Sequence, residues 1–119
     1  MWELTKSFRF DASHTLDRSI ATEASRRIHG HSYRAEVTVR GETDPVTGMV
    51  VDFGQLELVM AEAHDGLDHR MLDDVAGLGP ATMENLAAWI WRKLAPTTKG
   101  LVKVTVFRDS QSESVTFRG

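Results

Sequence analysis

His29-Gly30-His31 places two imidazoles two residues apart. On an extended backbone, residues i and i+2 point to one side, about 6.5 to 7 Å apart at Cα. Rings at that spacing can lean together and share one ion at about 2.0 to 2.1 Å each. Gly30 puts no side chain between them and permits close backbone approach. A third imidazole, His14, follows Phe10-Asp11-Ala12-Ser13. If its segment pairs with the one after His31, the three rings meet at one end of a sheet. Three neutral imidazoles with one open position form the ligand set of a hydrolytic or Lewis-acid zinc centre. The chain has no cysteine, so a metal must be held by His, Asp, Glu or water. His-x-His pairs also occur on surfaces without metal, and spacing alone leaves that alternative open.

Asp68-His69 is a second candidate. An aspartate beside an imidazole can tune it to move a proton near neutral pH. A loop histidine bonded only to backbone is the plainer alternative. His64 reads as a cation-favouring residue at a helix C-terminus.

These residues need elements to position them. Trp2, Leu4, Phe8 and Phe10 alternate with Glu3, Thr5, Ser7 and Arg9, a half-buried strand. Tyr33, Ala35, Val37 and Val39 alternate with Arg34, Glu36, Thr38 and Arg40, a second one. His29-Gly30-His31 stands directly before it. The polar stretch 15–28 joins the two as antiparallel neighbours. Asp44-Pro45-Val46-Thr47-Gly48 is turn chemistry, followed by a short extension at Met49–Val51. Asp52 caps a helix over about 53–64, with Gln55 completing a variant capping box and Gly66 ending it. Residues 67–81 read as loop. Thr82 caps a second helix that Pro96 stops. Leu101–Arg108 and Glu113–Arg118 are strands joined by a polar turn at Asp109-Ser110-Gln111-Ser112. The order is ββ-αα-ββ. It predicts an α+β fold: a four-stranded, mostly antiparallel sheet with two helices on one face. Four strands leave two open edges, which oligomerisation closes economically.

Composition narrows the function. At 119 residues the chain is one domain, residues 1–119, able to bury a core without staples. Its net charge of −3 argues against a nucleic-acid binder. No apolar run reaches the roughly 20 residues of a membrane span, and the start lacks a signal-peptide apolar region. The expectation is a cytoplasmic protein.

Five ordered segments then stand out: Phe10-Asp11-Ala12-Ser13-His14, His29-Gly30-His31-Ser32-Tyr33, Val51-Asp52-Phe53-Gly54-Gln55-Leu56, Leu67-Asp68-His69-Arg70-Met71-Leu72, and the run from Thr82 to Trp91. Over nearly the whole chain they resemble the 6-pyruvoyltetrahydropterin and 6-carboxytetrahydropterin synthase family. The resemblance implies the tunnelling fold. Three subunits close a twelve-stranded barrel, two trimers stack as a homohexamer, and active sites lie between subunits. It implies a reduced pterin substrate, 7,8-dihydroneopterin triphosphate, and zinc held by His14, His29 and His31. It further implies that His69 relays a proton while Asp68 orients it.

The pattern departs from the family at two places. Ser25 stands where the family has its proton-abstracting cysteine, and Glu23 is the nearest carboxylate. Asp109-Ser110 is the pair aligned with the family's Glu-Thr, whose glutamate clamps the pterin edge; Glu113 is a less well-aligned substitute. Arg26 and Arg27, with Arg18 in the same connection, are the candidate cations for a triphosphate, and a solvated loop is the plainer alternative for each. The leading expectation is therefore a zinc-dependent lyase. The alternatives are a pterin-binding member with altered chemistry, such as retro-aldol cleavage, or none, and a metal- or ligand-binding module without catalysis.

Overall fold

A computed structural model describes residues 1–119. Four antiparallel strands form one sheet in sequence order: β1 (Trp2–His14), β2 (His29–Gly41), β3 (Leu101–Arg108) and β4 (Glu113–Arg118). Three helices accompany them: α1 (Thr22–Arg26), α2 (Phe53–Leu67) and α3 (Met83–Leu94). The expected ββ-αα-ββ order and the helix-covered sheet are both present.

Alternation assigns the faces. Phe10, Ala12, Tyr33, Ala35, Val37, Val39, Val104 and Val106 are buried on one side of the sheet. Against them pack Leu56, Met60, Ala63 and Leu67 of α2 and Leu86, Ala87, Ile90 and Leu94 of α3. Each fully buried Leu, Ile or Val contributes about 1.5–3 kcal/mol. The two helices therefore cover a single face, as their apolar stripes require. Both helix starts are capped by side chains: Asp52 accepts from the Gly54 amide at 2.7 Å, and Thr82 accepts from the Asn85 amide at 3.1 Å. The Gln55 half of a capping box is absent from the hydrogen bonds around Asp52.

The structure corrects three boundaries. His29-Gly30-His31 lies inside β2, because the β1–β2 ladder continues to Ser13↔Gly30 and His14↔His29. Gly66 does not end α2. It lies within the last turn, where a Cβ would stand 2.8 Å from the Trp89 ring, so the glycine admits the α3 indole against the backbone. The connection 15–28 contains the five-residue α1, which has no side-chain cap and no apolar periodicity to reveal it. Met49–Val51 do not join the sheet.

β1 and β4 are the sheet's edges. The β1 edge is covered at its C-terminal end only. There the Ser13 amide donates to the Arg70 carbonyl at 3.0 Å, and the His69 amide donates to the Asp11 carbonyl at 2.7 Å. This short parallel contact carries the Asp68-His69 pair to the end of the sheet that holds the three histidines.

Candidate metal centre

His14, His29 and His31 share the helix-covered face by strand parity. Their candidate ligand atoms all lie within 4.8 Å of one another. The rings meet edge to face, with centroids 4.5 to 5.0 Å apart. Backbone acceptors settle two tautomers. His14 Nδ1 donates to the Ala81 carbonyl at 2.8 Å, and His29 Nδ1 donates to the Arg27 carbonyl at 2.7 Å. Each bond leaves the Nε2 lone pair free, the arrangement usual for metal-ligating histidine. His14 Nε2 and His31 Nε2 are 3.1 Å apart.

The donor set fits a metal ion. A neutral His14 bonded through Nδ1 presents a bare lone pair to His31, and Arg108 Nη1 donates to the same His31 Nε2 at 3.3 Å. His31 Nε2 cannot donate to His14 and accept from Arg108 at once. A cation among the nitrogens resolves that conflict. Burial lowers the His14 pKa, although the Ala81 bond opposes it. Burial first, then the Arg108 charge, lowers that of His31 to about 4. Both rings are thus neutral at physiological pH, the form that binds metal.

Asp68 and His69 are directly bonded. His69 Nδ1 donates to Asp68 Oδ2 at 2.8 Å, while Asp68 Oδ1 accepts the Asp11 amide at 2.9 Å. The Asp11 amide, then His69, holds the Asp68 carboxyl below its ordinary range. The Asp68 bond raises the pKa of His69. His69 is 80% exposed at the side chain and has a left-handed φ of 57°, a conformation uncommon for a residue with a Cβ. A depression of about 460 Å³ is lined by both His69 and His31, together with Asp11, Ser13 and Ser32. His64 does lie in the last turn of α2, where it bonds Asp65 at 2.9 Å.

The other residues singled out in the sequence fall as follows. Ser25 is buried in α1, its carbonyl accepting the Leu16 amide at 2.7 Å. Glu23 is exposed and ion-paired with Arg27 at 2.8 Å; Arg26 pairs with Asp17 at 2.9 Å. Asp109 is gripped by Arg34, at 2.9 Å from Nε and 3.1 Å from Nη2, with Arg9 at 3.9 Å. Arg34 and Arg9 alternate out of phase with Tyr33 and Phe10, so Asp109 turns to the sheet face opposite the histidines. Ser110 is exposed in the turn after β3. Glu113 faces Arg108 across the β3–β4 ladder and is ion-paired with it, on the histidines' face.

Sequence reasoning missed Arg108. The available signal was parity: two residues beyond the apolar Val106, on the strand face that points to the core.

An α+β fold with a three-histidine site at one end of its sheet defines the class of protein. Residues 3–119 match the family described as 6-pyruvoyl tetrahydropterin synthase. The chain is 40% identical to 6-carboxy-5,6,7,8-tetrahydropterin synthase of Synechocystis sp., covering 79% of this chain and 75% of the relative. It is 34% identical to 6-pyruvoyl tetrahydrobiopterin synthase of Homo sapiens, over 98% of this chain and 91% of that one. The solved structure of the Caenorhabditis elegans 6-pyruvoyl tetrahydropterin synthase superposes with a TM-score of 0.84 at 29% identity, covering 99% and 95% of the two chains. The chain belongs to the 6-pyruvoyl tetrahydropterin synthase family and is an enzyme of the pterin-synthase kind. No helix is long and apolar enough to cross a membrane.

Proposed function

We propose that the chain is a zinc-dependent lyase acting on 7,8-dihydroneopterin triphosphate or a related reduced pterin, in the manner of a 6-pyruvoyl- or 6-carboxytetrahydropterin synthase. The observation that carries this reading is the convergence of the His14, His29 and His31 donor atoms within 4.8 Å. His14, His29 and His31 would hold the zinc, which when bound would supply a Lewis acid for ionising a side-chain hydroxyl and for the charge left by proton abstraction.

The chain's own residues then have separable tasks. His69, its Nδ1 tied to Asp68, has Nε2 free to exchange a proton with substrate in the depression it shares with His31. Asp68 fixes the ring's orientation. Ser25 and Glu23 occupy the region of the missing base. Glu23 acts only after leaving Arg27, and a serine hydroxyl is a far poorer base than a thiol of pKa near 8.5. Arg26 and Arg27 are the cations for the triphosphate, each exchanging an internal acid for it. Asp109 and Ser110 offer a carboxylate and a hydroxyl to the pterin's amino-pyrimidine edge. Glu113, on the histidines' face, is the better-placed carboxylate within a single subunit.

The open β1 and β4 edges support assembly of subunits into a barrel, a homohexamer of two trimers with sites between subunits. We read residues 1–119 as one such domain working in the cytoplasm, with neither nucleic acid nor membrane as partner.

Ser25 favours a second reading, a pterin-binding member whose chemistry is altered, for instance to retro-aldol cleavage, or lost. Incubating zinc-loaded protein with 7,8-dihydroneopterin triphosphate, assaying free triphosphate and identifying the product decides between them. Triphosphate release with a tetrahydropterin product supports the first reading. Binding without release, or a product cleaved with the triphosphate retained on the fragment, supports the second.

A further inference from the structure

We propose that Arg108 is an anion receptor beside the histidine triad, selecting ligands that carry a carboxylate next to the metal site. The ligand class so defined, that of a carboxylated product and not of the diol-bearing substrate, rests on the reading of the triad as the metal centre of a pterin-processing enzyme.

Arg108 ends β3 on the face of the buried Val104 and Val106, and its side chain is only 18% exposed. Its three nitrogens have different fates. Nη2 is ion-paired with Glu113, directly opposite on β4. Nη1 donates to His31 Nε2 at 3.3 Å. Nε is buried with no hydrogen-bond partner. Glu113 is the one carboxylate bonded to this guanidinium; neighbouring Asp109 is turned away and held by Arg34.

The His31 nitrogen that accepts from Arg108 also faces His14 across 3.1 Å. If its lone pair passes to a metal ion, Nη1 loses its acceptor. Two donor nitrogens of a largely buried cation then lack partners, next to a second positive charge. Burying charged donors without acceptors is costly. A ligand carboxylate meets both needs: its oxygens accept from the guanidinium nitrogens that Glu113 leaves free, and its charge offsets the metal ion. A neutral diol side chain supplies oxygens and no charge. The geometry therefore favours a carboxylated ligand over a neutral hydroxylated one.

The test uses the full chain loaded with cobalt(II), whose visible spectrum reports its ligand sphere, titrated with acetate. Acetate should saturate a spectral change in the wild type. Arg108→Met should weaken acetate by about tenfold or more, the scale of a lost hydrogen bond to a charged group, and Arg108→Gln gives the same comparison should the methionine variant not fold. Zinc affinity, from competition with a chromophoric chelator, should not fall in either variant. Equal acetate affinity in wild type and variant overturns the proposal, as does acetate having no effect on the wild-type spectrum. Fluorescence titration with 6-carboxypterin and unsubstituted pterin separates this inference from the functional reading. A preference of about tenfold for the carboxylated compound that vanishes in Arg108→Met supports both. Arg108-dependent acetate binding with neither pterin bound keeps the receptor and removes the pterin reading. Pterin binding with no carboxylate preference does the reverse.

Discussion

His14 Nε2 and His31 Nε2 stand 3.1 Å apart, brought from adjacent strands by the ladder that pairs Ala12 with His31 and His14 with His29. With His14 Nδ1 committed to the Ala81 carbonyl, this contact needs a proton or a cation between the rings. Replacing His29 or His14 by alanine should abolish stoichiometric zinc uptake, lowering affinity by at least ~100-fold, since even outer partners of zinc ligands are worth 10–100-fold. Elemental analysis after dialysis against zinc checks this. A full zinc equivalent in either variant would show that the ligands are others.

The Asp68–His69 bond makes a prediction with a definite sign. The His69 pKa is raised above 6.5, so its contribution to stability is fully present below about pH 6.5 and is lost as pH rises through the raised value. The Asp68 pKa is lowered below 3.8, so its contribution is present above that value and is lost as pH falls through the lowered one. In Asp68→Asn the His69 titration, followed by NMR of the ring protons, should move down toward 6.5. The basic limb of any pH–rate profile governed by a protonated His69 should move the same way. An unmoved titration would mean that the contact is not maintained in solution.

Ser25→Cys places a thiol at a buried site in α1. If the base alone separates this chain from an efficient eliminating enzyme, triphosphate release should rise by about 10²-fold or more, the low end of general-base contributions. Unchanged release from a folded, zinc-loaded variant would place the divergence in the pocket as well.

Gly100 is a backbone position with little tolerance. Its φ is +80°, and a Cβ there would lie 2.4 Å from the Arg40 carbonyl oxygen. Its own carbonyl accepts the Arg40 amide at 2.8 Å, where β3 begins beside β2. Gly100→Ala should cost about 2–4 kcal/mol, combining left-handed strain with displacement of a carbonyl. Urea unfolding would register this as a lower midpoint at unchanged slope, and a midpoint equal to wild type would contradict it.

Much of the architecture was legible in the chain because it rests on local physics. Alternation in 2–10 and 33–40, caps at Asp52 and Thr82, and the stop at Pro96 act within a few residues. The α1 turn was not legible, since five residues carry no helical period and Ala21 enters it at a φ of 52° with no capping side chain. Gly66 read as a stop because a helix end and a close helix–helix contact both call for glycine. Only the position of Trp89, 23 residues on in the chain, tells them apart.

The three histidines were readable as a candidate cluster because i, i+2 spacing and antiparallel pairing are properties of extended chain. Their tautomers depended on the carbonyls of Ala81 and Arg27, and no rule of spacing supplies those partners. The sequence likewise marked Asp68-His69 as a pair, while its place beside β1 came from backbone bonds to Asp11 and Ser13. For Asp109 and Arg108 the tertiary structure decided most. Neighbours in sequence at the end of β3, they part to opposite faces of the sheet, where Asp109 meets Arg34 and Arg108 meets His31. Residue type sets what a side chain can bond. The face it occupies, and who waits there, is settled by strand register and packing across the whole sheet.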